Sequence, residues 1–187
     1  EYVAVNITKR DQFADAYRAK NPMAQVPTLE ITEADGTVIA LAQSLPILEY
    51  LDERFGGAPL LPKSPYLRAR TRMLAEIVNS GIQPLQNLSV HRALKPFGTD
   101  EQAWSRPGSA DGRAAGEQSA RDVAGQFSVG DAPSVADCML IPQLATSRRF
   151  GVDVTRFELL LGIEQRCLAL PAFADALPDR QPDAVKS

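Results

Sequence analysis

Val26-Pro27-Thr28-Leu29-Glu30-Ile31 and Thr37-Val38-Ile39-Ala40-Leu41 are the two runs on which the fold turns. Each is short and rich in β-branched and aliphatic residues. Glu33-Ala34-Asp35-Gly36 between them ends in Asp-Gly, a pair that tolerates the positive φ of a hairpin turn. The pattern predicts two strands joined as a hairpin. Directly after them Ser44 offers a hydroxyl cap, and Leu45, Leu48, Leu51 and Phe55 recur at helical spacing up to Gly56-Gly57, so a helix is expected there. Working back from the hairpin, Phe13, Ala16 and Tyr17 give Lys9 to Lys20 a helical spacing. Asn21-Pro22 should end that helix, because the residue before a proline is pushed out of the α region. Glu1 to Ile7 alternates Val3, Val5 and Ile7 against Tyr2, Ala4 and Asn6 and reads as a strand. Strand, helix, strand, strand, helix is an α/β layer short of one strand and its crossover helix. The pattern predicts that these precede residue 1.

Downstream the character changes. Ala58-Pro59-Leu60-Leu61-Pro62-Lys63 reads as a proline-rich linker, and beyond it only helices are expected. Ser64-Pro65 is a cap followed by proline at the first helical position, and Leu67, Leu74, Ile77 and Val78 keep a 3.6-residue period. Ser134-Val135-Ala136-Asp137 is a capping box that should open a helix through Arg149, with Pro142 inside it. Phe157 to Leu170 gives a last helix before Pro171. Ser105 to Gly125 breaks the pattern: Val123 is its only large aliphatic residue, and Pro107, Gly108, Gly112, Gly116 and Gly125 interrupt it. By propensity this segment is a loop, or at most a frayed helix. The boundaries that follow are residues 1–57 for an α/β domain, incomplete at its N-terminus, and 64–187 for an all-helical one.

Composition narrows the function class. The 187 residues are 44% hydrophobic and 23% charged, with 20 Lys+Arg against 23 Asp+Glu. A net charge of -3 offers no electrostatic footprint for nucleic acid. No apolar run approaches the ~20 residues of a membrane span. Cys138 and Cys167 lack metal-ligand spacing and read as reduced core thiols of a cytoplasmic protein.

Few residues suggest chemistry by themselves. Pro27 cannot donate to a ladder, so it belongs at a strand start or edge, where a cis bond is admissible. Val26 would then keep its N–H and C=O for an extended peptide ligand, unless Pro27 is a plain turn residue. Gln43-Ser44 at a helix N-terminus suits a carboxylate, or else Ser44 only caps its own helix. Gln83 and Asn87, four apart around Pro84, should share the face of a bent helix. His91 has no obvious Ser or Cys partner and reads as a surface or packing residue. Asp137 reads as a cap. Arg148-Arg149 beside Phe150 could hold a carboxylate or simply solvate a helix end.

Taken together, several runs resemble the zeta class of glutathione transferases: residues 21–29, 43–51 and 81–90, then Val129-Gly130-Asp131 with 134–137, Ile141-Pro142-Gln143, Arg149-Phe150 and Arg180-Gln181-Pro182-Asp183. Gln83-Pro84-Leu85-Gln86-Asn87-Leu88-Ser89 is the most specific of them. The resemblance implies a thioredoxin-like N-terminal domain followed by an all-α glutathione-transferase C-terminal domain, in a cytoplasmic homodimer. It implies glutathione as cofactor, held by Gln12, Val26, cis Pro27, Gln43, Ser44, Gln83, Asn87, Leu88 and Ser89, with Arg149 on a substrate carboxylate. The family's catalytic Ser-Ser-Cys-type motif would lie before residue 1, so no catalytic residue is assigned within this chain. The implied reaction is the cis–trans isomerisation of maleylacetoacetate, a dicarboxylate enone, to fumarylacetoacetate in tyrosine and phenylalanine catabolism. The alternatives are a maleylpyruvate isomerase, a general zeta-class transferase, and a non-catalytic glutathione-binding protein.

Overall fold

Thr28–Thr32 (β1) and Val38–Ala42 (β2) pair antiparallel with Ile31 opposite Ile39, and Gly36 takes the left-handed φ of +85° in the turn. The computed structural model describes residues 1–184, apart from the side chains of residues 102, 107 and 109. Its contacts divide the chain into two compact units, Glu1–Gly57 with the end of the chain from Leu177, and Ala58–Ala176.

In the first unit both strands lie one or two residues later than the apolar runs suggest. Pro27 has no N–H and stays outside β1. A strand at 1–7 does not form. Alternation can define a face, but a strand also needs a neighbour for its N–H and C=O groups, and the described sheet consists of β1 and β2. The helix expected over 9–20 is a 3-10 turn, Asp11–Phe13, and a single α turn, Asp15–Arg18 (α1), separated by an extended Ala14. So short a run gains too few hydrogen bonds to repay its own nucleation. Phe13 lies instead between the guanidinium groups of Arg10 and Arg18, at 5.0 and 5.8 Å. Ser44–Phe55 (α2) ends at Gly56 and Gly57, both with positive φ. Ser44 is the first helical residue and not the cap. Gln43, at φ +74°, turns the chain out of β2, and no side chain caps the helix.

The second unit is helical. Pro65–Glu76 (α3) is capped by Ser64, whose Oγ accepts from the Leu67 N–H at 3.4 Å. A π-helical turn, Ile77–Ile82, and a 3-10 turn, Gln83–Gln86, lead to Leu88–Leu94 (α4). Glu101–Ala120 (α5) is a full helix where propensity predicts a loop. Asp100 caps it, accepting from Ala103 N–H at 2.8 Å, and its glycines admit close neighbours: a Cβ at position 112 would overlap the buried Ile82 side chain. Val135–Arg149 (α6) starts at the expected capping box, with Pro142 inside it. Glu158–Leu168 (α7) and Pro171–Asp175 (α8) follow. Leu140, Ile141, Leu144, Phe157, Leu160, Ile163 and Cys167 form the main core. Among the described residues no helix is long and apolar enough to cross a membrane.

Candidate functional site

In the first unit the site is built around a braced turn. Tyr17 Oη and Asn21 Nδ2 both donate to the Gln25 carbonyl, at 2.6 and 2.7 Å, and Asn21 also reaches Thr28 Oγ1 at 3.2 Å. Asn21 is 2% exposed, and its Oδ1 accepts from the Met23 N–H at 3.1 Å, so both ends of its amide are bonded and it acts as an internal strut. These bonds hold Gln25-Val26-Pro27 in place, and the Val26-Pro27 peptide is cis. Val26 is 45% exposed, and its backbone groups have no partner among the described residues. Gln43 Nε2 meets Gln25 Oε1 at 3.3 Å, which brings the start of α2 beside this turn. The N–H groups of Ser44 and Leu45 belong to the first helical turn, where the ladder does not use them, and Pro46 has none. Gln12 is 7% exposed and its Oε1 has no partner, an unsatisfied acceptor of the kind a ligand N–H can fill.

In the second unit Gln83 is exposed at the start of the 3-10 turn. Asn87 does not share a helix face with it. Asn87 is extended, at φ -66° and ψ 140°, because the chain leaves the π and 3-10 turns there and α4 must restart. Its Oδ1 accepts from Ser89 N–H at 2.9 Å and from Ser89 Oγ at 2.8 Å, which leaves the Asn87 amide NH2 for other partners. Leu88 is half-buried between them. Arg149 ends α6 exposed and has no ion pair among the described residues, whereas Arg148 beside it forks onto Glu164 at 2.6 and 2.5 Å. Of the two arginines, Arg149 is therefore the one open to an anion.

His91 has the partner that its sequence context does not show. It is 4% exposed, with Nε2 2.8 Å from Ser105 Oγ, Nδ1 3.6 Å from Glu101 Oε2, and the ring edge-on to Phe150 at 5.6 Å. Fourteen residues and a loop separate His91 from Ser105, so no spacing rule could find the pair. The order carboxylate, imidazole, hydroxyl resembles a nucleophile relay, but Ser105 is 1% exposed and out of reach of a substrate. The contact packs α4 on α5. Cys138 and Cys167 are unpaired. Burial, with Asp137 adding to it, pushes their thiols up to about 11 and about 12, far from a reactive thiolate.

The glutathione S-transferase N-terminal domain family matches residues 1–59. Maleylacetoacetate isomerase of Rattus norvegicus is 43% identical over 98% of this chain and 82% of its own length. The zeta-class glutathione S-transferase of Euphorbia esula is 39% identical over 99% and 81%. The crystal structure of maleylacetoacetate isomerase from Anaeromyxobacter dehalogenans 2CP-1, with glutathione bound in its active site, superimposes with a TM-score of 0.91. It is 49% identical and covers 99% of this chain and 86% of that one. A second crystal structure of that protein carries dicarboxyethyl glutathione and citrate. With the hairpin and α2 in the first unit and helices alone in the second, this chain has the thioredoxin-like and helical domains of a glutathione transferase and belongs to the zeta class of that family.

Proposed function

We propose that this chain is a glutathione-dependent isomerase that converts maleylacetoacetate to fumarylacetoacetate, with residues 1–57 as the glutathione-binding domain and the helices from residue 64 to residue 176 as the second. The chain from Leu177 groups with the first unit and not, as the sequence suggests, with the helices. The observation that carries this reading is a set of polar groups left open in each of the two units. They are the Val26 backbone, Gln12 Oε1, the first N–H groups of α2 and the Arg149 guanidinium. A peptide with two carboxylates and a dicarboxylate substrate carry the complementary groups. When bound, glutathione supplies a nucleophilic thiol to the conjugated double bond and is regenerated. The Val26 N–H and C=O pair with the backbone of the peptide as a strand edge would. Ser44 and the start of α2 hold a carboxylate by N–H donation and by the positive end of the helix dipole. Gln83, Asn87, Leu88 and Ser89 add further contacts to glutathione, and Arg149 binds a substrate carboxylate through its fork of donors. Two unpaired thiols fit a reducing, cytoplasmic setting, and the exposed Tyr66 and Met73 on α3 fit association with a second copy as a homodimer.

The test is an assay of the purified protein with maleylacetoacetate, or separately maleylpyruvate, and a trace of glutathione. Many turnovers per glutathione on maleylacetoacetate are expected. Preference for maleylpyruvate would move the reading to the sister isomerase. One glutathione consumed per product would make the protein a conjugating transferase, and binding without turnover would make it a non-catalytic binder.

A further inference from the structure

Beneath the residues proposed to hold glutathione lies a buried polar pair. Gln86 ends the 3-10 turn next to Asn87, and its Oε1 accepts a 2.8 Å hydrogen bond from Gln143 Nε2 on α6. Gln86 is 8% exposed and Gln143 4%. The backbone beneath it is tied down as well: the main-chain carbonyl of Gln143 accepts from Ser147 Oγ, which in turn accepts from the buried Arg113 Nη1 on α5. One residue before Gln86, the Leu85 carbonyl accepts from Trp104 Nε1 at 2.9 Å.

An apolar pair at 86 and 143 would exclude water equally well. What the amides add is direction, because hydrophobic contact has none and a hydrogen bond weakens steeply off its axis. Direction matters most where the chain cannot set its own rotation. Between Ile77 and Asn87 a π turn, a 3-10 turn and an extended residue follow one another, with no continuous ladder through them.

We propose that Gln143 is a positioning residue for the glutathione site: through Gln86 it fixes the rotation of residues 83–89, and so the placement of Gln83, Asn87 and Ser89. This rests on the functional reading above. Gln143 touches no ligand in this scheme and acts only through Gln86.

The experiment compares the parent chain, Gln143→Leu, and Gln86→Leu with Gln143→Leu. It measures glutathione affinity by calorimetry, Tm, and kcat at saturating glutathione. Gln143→Leu is expected to lower Tm and weaken glutathione binding roughly tenfold, the scale of one net hydrogen bond, with kcat little changed. The double variant is expected to regain most of the Tm, since the buried pair is removed together, yet to keep the roughly tenfold weaker binding. A double variant with parental affinity would show that the pair only stabilises the fold, and would overturn the proposal. Should the leucine variants not fold, Gln143→Glu decides, because its carboxylate can accept from a turned Gln86 amide. Affinity near that of the parent supports the proposal and a tenfold loss overturns it. A parent chain that binds no glutathione would sink the functional reading and this inference together, whereas binding by the parent and by the double variant alike sinks this inference alone.

Discussion

Asp137 is the side chain whose sequence role and structural role agree best. It is fully buried, and its carboxylate accepts from Ser134 N–H at 2.7 Å, Ser134 Oγ at 2.8 Å and Ser128 N–H at 2.9 Å. Asp137→Ala would leave three donors buried without a partner, and a cost of about 3 kcal/mol is expected. At roughly 2–4 °C per kcal/mol for a chain of this size, a calorimetric scan should show Tm falling by about 10 °C. A fall under a few degrees would mean that water reaches the cap. The two cysteines give a second test at this scale. Both thiols lie well above their ordinary value, so at pH 8 they are protonated in the native state; iodoacetamide should modify the half-buried Cys138 slowly and the fully buried Cys167 only as fast as the protein opens. Rapid native alkylation of Cys167 would contradict its burial. His91 marks the limit of reading single residues: its type gives no sign that Ser105 will cover it.

At the scale of elements α5 is the informative case. Low propensity argues against a helix, yet Glu101–Ala120 forms one, because the backbone of a glycine-rich helix can approach its neighbours closely. The glycines of α5 are not equivalent. A Cβ on Gly112 would lie 2.6 Å from Ile82 Cδ1 and closer still to Cγ1, and Ile82 is 1% exposed, so the buried side chain would have to shift. On Gly116 the nearest atom would be Ile77 Cγ2 at 4.0 Å, beside a cavity of ≈ 30 Å³ lined by Ile77, Ile82, Gly116, Ala120 and Leu140. Gly112→Ala should therefore destabilise by about 1–3 kcal/mol from overpacking. Gly116→Ala should stabilise by about 0.5–1 kcal/mol from helix propensity alone. Urea titration of the two variants checks the signs, and equal signs would refute this account of α5. The hairpin, α2, α3, α6 and α7 were legible because each carries a turn, a cap or a hydrophobic period of its own. The strand at 1–7 and the long helix at 9–20 were misread because periodicity says nothing about whether a pairing neighbour exists.

For the molecule as a whole, ligand binding should appear as stability. Glutathione at 100 times its Kd should add about 2.7 kcal/mol and raise Tm by roughly 5–10 °C, and a scan that glutathione leaves unmoved would count against the functional reading. The sequence by itself determined the class of each half and the hairpin, because turn chemistry and hydrophobic period are local and act wherever the segment lies, whereas the stretch 58–63, read as a linker, packs into the second unit with Leu61 4% exposed. It also offered Val26-Pro27 and Gln43-Ser44 as candidate ligand residues of the first unit, through their resemblance to the zeta class. Only the tertiary structure decided that Ser105 to Ala120 is helical, that Asn87 caps α4 and does not share a face with Gln83, and that Gln143 meets Gln86. The first and last of these depend on which distant side chain fills the space alongside, and contact between residues tens of positions apart leaves no periodic trace in a single sequence; the Asn87 cap is local, but where the preceding turns end is set by their packing.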